Sequence, residues 1–312
     1  MNEKTPPKTA KIAPEKPLGT GLQPTPKDER DFRLGAVYGT IDIKTVPMGN
    51  FNLPKPLVIK NQGPLDFCPT YMATAMSEDQ EGIPLAAKWQ FSQMKEILGE
   101  WETWGGDLRS ALLSMVKVGS IPETMETDFL KRQGHFAEDR DFLANWKNWP
   151  ESFKKFAKEH RKQSLFTITV GKYDAFDTVR AALWQHKANK CSVALGVMWR
   201  YNWNNAENGI IPHEAIGAGE GHALKAFDQV VIGGEQYIAI QNSWGDTVGD
   251  HGIFYANREV FNSFFAQYGF FMVKDIPVKV AKYLLEKNLT ISSAWWVKIL
   301  VYVRDLFTRS QQ

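Results

Sequence analysis

Near residue 164 the sequence changes period, and the change decides the fold class. Before it, Thr70 to Gln80 (TYMATAMSEDQ), 85–98 (LAAKWQFSQMKEIL) and 107–118 (DLRSALLSMVKV) combine helix formers with apolar residues three or four apart. The polar, Trp- and Lys-rich stretch 138–162 extends the helical reading. After it come SLFTITV (164–170), CSVALGVMW (191–199), QVVIG (229–233), QYIAIQNSW (236–244) and GIFYA (252–256). These runs are β-branched and aromatic, and Gly, Asn and Asp bound them. One helical interlude, Phe176 to His186, separates the first two. Helices first and strands second predict an α+β fold of two subdomains with a cleft between them.

The ends of the chain differ from this body. Residues 1–33 are rich in Pro, Lys and Thr and lack hydrophobic periodicity, which predicts a mobile tail that cannot offset its ordering entropy. The mainly helical subdomain then spans 34–162, the strand-rich one 163–276, and an amphipathic helical extension 277–312. Within 291–307 (ISSAWWVKILVYVRDLF), Trp296, Ile299, Leu300, Val303, Leu306 and Phe307 keep helical spacing while Lys298, Arg304 and Asp305 interrupt it. Three readings stay open for that face: docking on the body, self-association, or contact with a membrane surface.

Composition narrows the function classes. The 37 Lys and Arg residues against 35 Asp and Glu leave a net charge of +2, without the basic surplus of a nucleic-acid binder. A 12% aromatic content excludes a wholly disordered chain. The N-terminus carries no apolar signal-peptide core, and no run of about 18 apolar residues spans a bilayer. Two cysteines, Cys68 and Cys191, cannot make a disulfide framework. The expectation is a cytoplasmic protein of a reducing compartment, with no cofactor and no metal.

Thiol chemistry needs a thiolate, a base, a group that orients the base, and donors for an oxyanion. Cys191 sits in apolar sequence and reads as core. Cys68 follows the polar turn Asn61 to Phe67 and precedes Pro69, so it opens a helix, where the macrodipole lowers a thiol pKa. Among six histidines, His135, His160 and His186 lie in polar or helical surroundings and read as solvated, and His251 reads as a turn residue. His222, in Gly219-Glu220-Gly221-His222-Ala223-Leu224, stands where a Gly-rich loop enters an apolar strand. Asn242, in Ile240-Gln241-Asn242-Ser243-Trp244-Gly245, ends another strand; its carbonyl suits an imidazole N–H, and Trp244 suits a cover for that bond.

Taken together, these blocks resemble the papain-like (C1) cysteine peptidases. Asn61-Gln62-Gly63 with Cys68, then Gly221-His222-Ala223, then Gln241-Asn242-Ser243-Trp244-Gly245 continuing to Gly249-Asp250-His251-Gly252-Ile253-Phe254 follow the family's order of Cys, His and Asn. Val248 stands where Trp is usual. Cys68 lies six positions after Gln62, the family spacing between its oxyanion glutamine and its nucleophile. Trp104-Gly105-Gly106 resembles the family's substrate-pairing Gly-Gly strand, and Asp28 to Phe32 the start of mature bacterial members. His222 and Asn242 lie 154 and 174 positions beyond Cys68, against about 130–150 in the family signature, which places a surface insertion near 130–160.

The resemblance implies a bacterial- or viral-type member without a long pro-domain, with helical and β-barrel-like subdomains flanking the cleft. It implies a cysteine-type peptidase, preferably an endopeptidase, acting on peptides or proteins through Cys68, His222, Asn242 and Gln62. Gly105, Gly106, Asp66, Phe67 and Trp244 are the expected substrate-side residues. The local cysteine signature departs from the family: Leu65 replaces a cysteine, Asp66 and Phe67 replace small residues, and Pro69 replaces an aromatic. Asp66 is expected to raise the thiol pKa or to favour a basic substrate residue, and Phe67 to narrow the cleft. These departures support the alternative of a catalytically silent, peptide- or protein-binding papain fold. For residues 1–33, occupying the cleft, being trimmed, and neither all remain open.

Overall fold

The computed structural model describes residues 19–29, 31–39, 41–134, 138–215 and 218–274. Helix α1 spans Leu34–Tyr38, α2 Cys68–Glu81, α3 Ala87–Leu98, α4 Leu108–Lys117, α5 Glu123–Gln133, α6 Arg140–Ala144, α7 Ser152–Ala157, α8 Ala175–His186 and α9 Arg258–Phe264. Strands are β1 Phe32–Arg33, β2 Ser164–Ile168, β3 Val193–Arg200, β4 Gly219–Ile232, β5 Glu235–Gln241, β6 Ile253–Asn257 and β7 Phe270–Lys274. The strands form one sheet in the order β1-β2-β7-β3-β4-β5-β6, antiparallel except for the parallel β1–β2 pair. This is an α+β fold with two hydrophobic cores.

Strand alternation divides the interior into two cores. In β3, Val193, Leu195 and Val197 enter one core while Ala194 enters the other; in β7, Phe270 and Met272 oppose Phe271 and Val273. One core gathers α1, α8 and α9 against the sheet. The second gathers α2, α3 and α4 with Leu165, Ala194, Ala223, Phe271 and Val273. Helix α2 is buried from Cys68 to Glu78, as a helix through the middle of a subdomain must be, and it ends at left-handed Gly82. Buried Lys225 of β4 pairs with Asp79 of α2 and donates to Ala75 O at 3.3 Å, tying the two halves together behind the cleft.

Several expectations change here. Thr20 and Leu22 are buried and Phe32–Arg33 pairs with β2, so the described part of 1–33 is packed rather than mobile. Residues 1–18 lie outside the described residues, as does the proposed helix within 277–312 with its self-association or membrane face. Leu34, Val37, Tyr38, Val46 and Phe51 join the core of the strand-rich side, although 34–162 reads as the helical subdomain. The stretch 138–162 holds two short α-helices rather than one continuous pattern, separated by a 3-10 turn at Trp146–Asn148 and by Pro150. Trp149 instead turns inward beside Phe129 and Phe153, with Nε1 donating to Leu143 O at 3.0 Å. His186 is buried, not solvated: its Nδ1 lies 2.8 Å from Lys274 Nζ and its ring 4.6 Å from that of Tyr38.

Candidate active site

Cys68 is the first residue of α2, with Pro69 in the first turn where a missing N–H breaks no helical bond. His222 is the fourth residue of β4, paired in register with Val197 of β3. Asn242 follows β5, its own N–H held by Gly252 O at 2.9 Å. His222 Nε2 and Asn242 Oδ1 are 2.8 Å apart. An amide oxygen only accepts, so Nε2 carries the proton and Nδ1 keeps its lone pair. Trp244 stacks on the imidazole at 4.2 Å and 14°, and Trp199 meets both rings edge-on at 5.9 and 5.2 Å. The imidazole is thus fixed in plane and direction.

Gln62 joins the cysteine turn to the asparagine loop. Its N–H donates to Ser243 O at 2.8 Å, its Oε1 accepts from Ser243 Oγ, and its Nε2 donates to Leu65 O at 2.7 Å. Ser243 N–H in turn donates to Asn242 Oδ1 at 2.6 Å. The turn before the thiol and the loop that orients the histidine therefore move as one piece.

Residues 19–23 cross this site. Gly19 N–H donates to Gly63 O at 2.9 Å and Gly19 O accepts from Trp244 Nε1 at 2.7 Å. Thr20 Oγ1 donates to Glu220. Gly21 O accepts from Gly106 N–H at 3.0 Å, Leu22 N–H donates to Gly221 O at 2.9 Å, and Gln23 N–H donates to Gly106 O at 2.8 Å. Leu22 and Gly106 form a parallel bridge. Gly105 and Gly106, the expected substrate edge, are thus occupied by the chain itself.

Asp66 and Phe67 do not line the cleft. Phe67 is fully buried and stacks on Phe91 of α3, with ring centroids 3.7 Å apart. Asp66, also fully buried, accepts the Gly105 N–H and faces Arg140, whose Nε and Nη2 each lie 3.3 Å from a carboxylate oxygen. Arg140 also donates to Trp101 O and Thr103 O, and Lys95 Nζ holds Thr103 O at 2.6 Å. Asp66 therefore braces the Gly105–Gly106 strand from behind and has no free face for a basic substrate side chain. Sequence reading missed Arg140 and residues 19–23; the Gly-Thr-Gly-Leu break in a Pro- and Lys-rich tail was the available signal for the latter.

Burial sets the electrostatics. Cys68 and His222 are both 0% exposed. Desolvation pushes the thiol well above its ordinary range, and the nearby Asp66 charge adds to this; backbone N–H groups of Ala223, Cys68 and Leu22 oppose it. Desolvation pushes His222 down to about 4, against the raising effects of Asn242 and Glu220. Nδ1 of His222 makes no hydrogen bond among the described residues, so no Sγ–Nδ1 bond is formed. At neutral pH the pair is a thiol and a neutral imidazole.

A family model described as papain family cysteine protease matches residues 57–269. Xylellain, a cysteine protease from Xylella fastidiosa, superposes with a TM-score of 0.65 at 18% identity, covering 85% of this chain and 99% of that one. Procathepsin B S9 from Trypanosoma congolense gives 0.57 at 15% identity, covering 81% and 85%. The digestive procathepsin L 3 of Tenebrio molitor gives 0.50 at 13%, covering 74% and 77%. No curated protein matches the sequence.

Proposed function

The chain belongs to the papain family of cysteine proteases, and on that premise we propose that it is a cysteine-type peptidase, an endopeptidase, that hydrolyses peptide bonds through an acyl-enzyme. Cys68 is the nucleophile. In the reactive form its proton passes to His222 Nδ1, and the thiolate attacks the scissile carbonyl while the imidazolium protonates the leaving amine. The same nitrogen then takes a proton from the water that releases the acid. Asn242 and Trp244 are positioning residues for His222. The Cys68 N–H and the Gln62 amide are the oxyanion donors, each worth on the order of 3–4 kcal/mol in the transition state. Gly105 and Gly106 pair with extended substrate backbone.

The single observation carrying this reading is the 2.8 Å His222–Asn242 bond under Trp244. A catalytically silent binding protein drew its support from Asp66, Phe67 and Pro69; the first two face inward rather than into the cleft, and Pro69 sits in the first turn of α2, where it breaks no helical bond. The test is Cys68→Ala in a form of the enzyme that digests an unfolded protein: cleavage should vanish while the thermal transition is kept. Retained cleavage overturns the assignment.

A further inference from the structure

A cavity of about 460 Å³ opens between residues 58–61, the start of α3 and one face of α5, a volume in the range of small-molecule sites. None of Cys68, His222, Asn242 and Gln62 lines it. Lys60, on its floor, is fully engaged: its Nζ pairs with Glu78 at 2.6 Å and Glu123 at 3.3 Å and donates to Leu85 O. Lys88 has no ion-pair or hydrogen-bond partner among the described residues. Helix α3 begins here without a cap from its N-cap side chain. The N–H groups of its first two residues, Ala87 and Lys88, have no acceptor among the described residues.

Two buried side chains bring unused polar atoms to the same cavity. Tyr71 of α2 is 5% exposed and Glu126 of α5 is 4% exposed. The Tyr71 hydroxyl has no partner among the described residues. Burial, then the charges of Glu126 and Glu123, push this phenol well above its ordinary range, which sets the hydroxyl beside those two cavity residues. Glu126 Oε2 accepts the Trp89 N–H at 2.7 Å, while Oε1 has no partner among the described residues. That contact places the acid directly against the α3 start. An anionic group accepting from Ala87 or Lys88 N–H therefore stands next to a carboxyl that favours a cation, and a single α-carbon carries both charges at that spacing. Burial pushes Glu126 toward its neutral acid, against the Trp89 N–H and Lys88; an ammonium on Oε1 draws it back to the carboxylate.

We propose that this cavity binds a free α-amino acid with an apolar side chain. The carboxylate accepts from the α3 start and from Lys88, and Glu126 Oε1 and the Tyr71 oxygen hold the ammonium. The hydrocarbon lies on Val58, Ile59 and Leu130. A simple anion would face Glu126, and a simple cation would leave Lys88 and the helix start unpaired; the zwitterion satisfies both. The proposal stands apart from the peptidase reading, because an amino acid carries no peptide bond and the cavity holds none of the residues assigned to chemistry.

The experiment is isothermal titration calorimetry of the full chain at neutral pH with L-leucine, N-acetyl-L-leucine and L-leucinamide. L-Leucine should bind saturably, and each derivative, lacking one charge, at least about tenfold more weakly, as the loss of one charge-assisted hydrogen bond gives. Two variants locate the site. Lys88→Met should weaken L-leucine by at least about tenfold without weakening L-leucinamide, which has no carboxylate. Glu126→Gln keeps an acceptor for the Trp89 N–H and should weaken L-leucine by a similar factor without weakening N-acetyl-L-leucine. Lys117→Met, outside the cavity, should change neither. No saturable heat up to about 10 mM L-leucine overturns the site. A derivative that binds as tightly as L-leucine overturns it too, as does an unaltered L-leucine affinity in Lys88→Met. Should Glu126→Gln fail to fold, the three ligands on the unaltered chain and on Lys88→Met decide by the same criteria.

Discussion

Asp66 and Arg140 form an ion pair across 74 positions of sequence, with the carboxylate fully buried and the guanidinium 16% exposed. Through it the turn before the thiol, the loop 101–105 and the stretch around 140 share one set of hydrogen bonds. Arg140→Leu strands a buried charge behind Gly105 and should cost roughly 3 kcal/mol of stability, read as a lowered melting temperature. Asp66→Asn keeps an acceptor for the Gly105 N–H and removes the charge that raises the thiol pKa. It should therefore perturb stability less than Arg140→Leu and speed alkylation of Cys68 at fixed pH. Slower alkylation in Asp66→Asn contradicts the electrostatic part of this account.

Phe67 supplies an opposite case. Its ring stacks on Phe91 inside the helical core, so Phe67→Ala should lose about 3–5 kcal/mol of stability, as large aromatic deletions do. KM of the folded fraction for peptide substrates should stay the same. A lowered KM with an unchanged melting temperature is the signature of a cleft-wall residue and rejects this placement.

What was legible in the sequence was local. Gly221-His222-Ala223 and the Gln241–Gly245 block carry their geometry in consecutive residues, since a strand end and the loop after it fix where those side chains stand. Helices α2, α3, α4 and α8 showed through their periodicity. Asp66–Arg140 was invisible because nothing local links the two; Asp66 alone reads as a charge beside a thiol. Residues 19–23 were hidden by averaging: their bonds are mostly main-chain, so the Pro and Lys around them set the composition. His186 failed for a related reason, because polar sequence neighbours concealed a ring packed between Tyr38 and Lys274.

Asn242→Ala removes the acceptor of a buried Nε2–H. Leaving that donor unpaired should cost about 1–3 kcal/mol of stability. Turnover should fall more steeply than binding: kcat drops at least about tenfold, since a misdirected imidazole loses part of the usual general acid–base contribution. Steady-state kinetics with casein-derived peptides check the split. An effect confined to KM argues against an orienting role.

The buried pair also sets two pH dependences of definite sign. His222 is held down to about 4 in the folded chain against an ordinary 6.5, so between those values the unfolded chain binds more protons. Its contribution to stability is complete above about 6.5 and is lost as the pH falls toward 4, amounting to about 3 kcal/mol for a shift of this size. His222→Gln should therefore show a shallower loss of melting temperature than the unaltered chain over that window; parallel curves contradict the assignment. Cys68, raised by the same burial, should alkylate ever faster through pH 9 with no plateau at neutral pH, and a plateau near neutrality would contradict this burial.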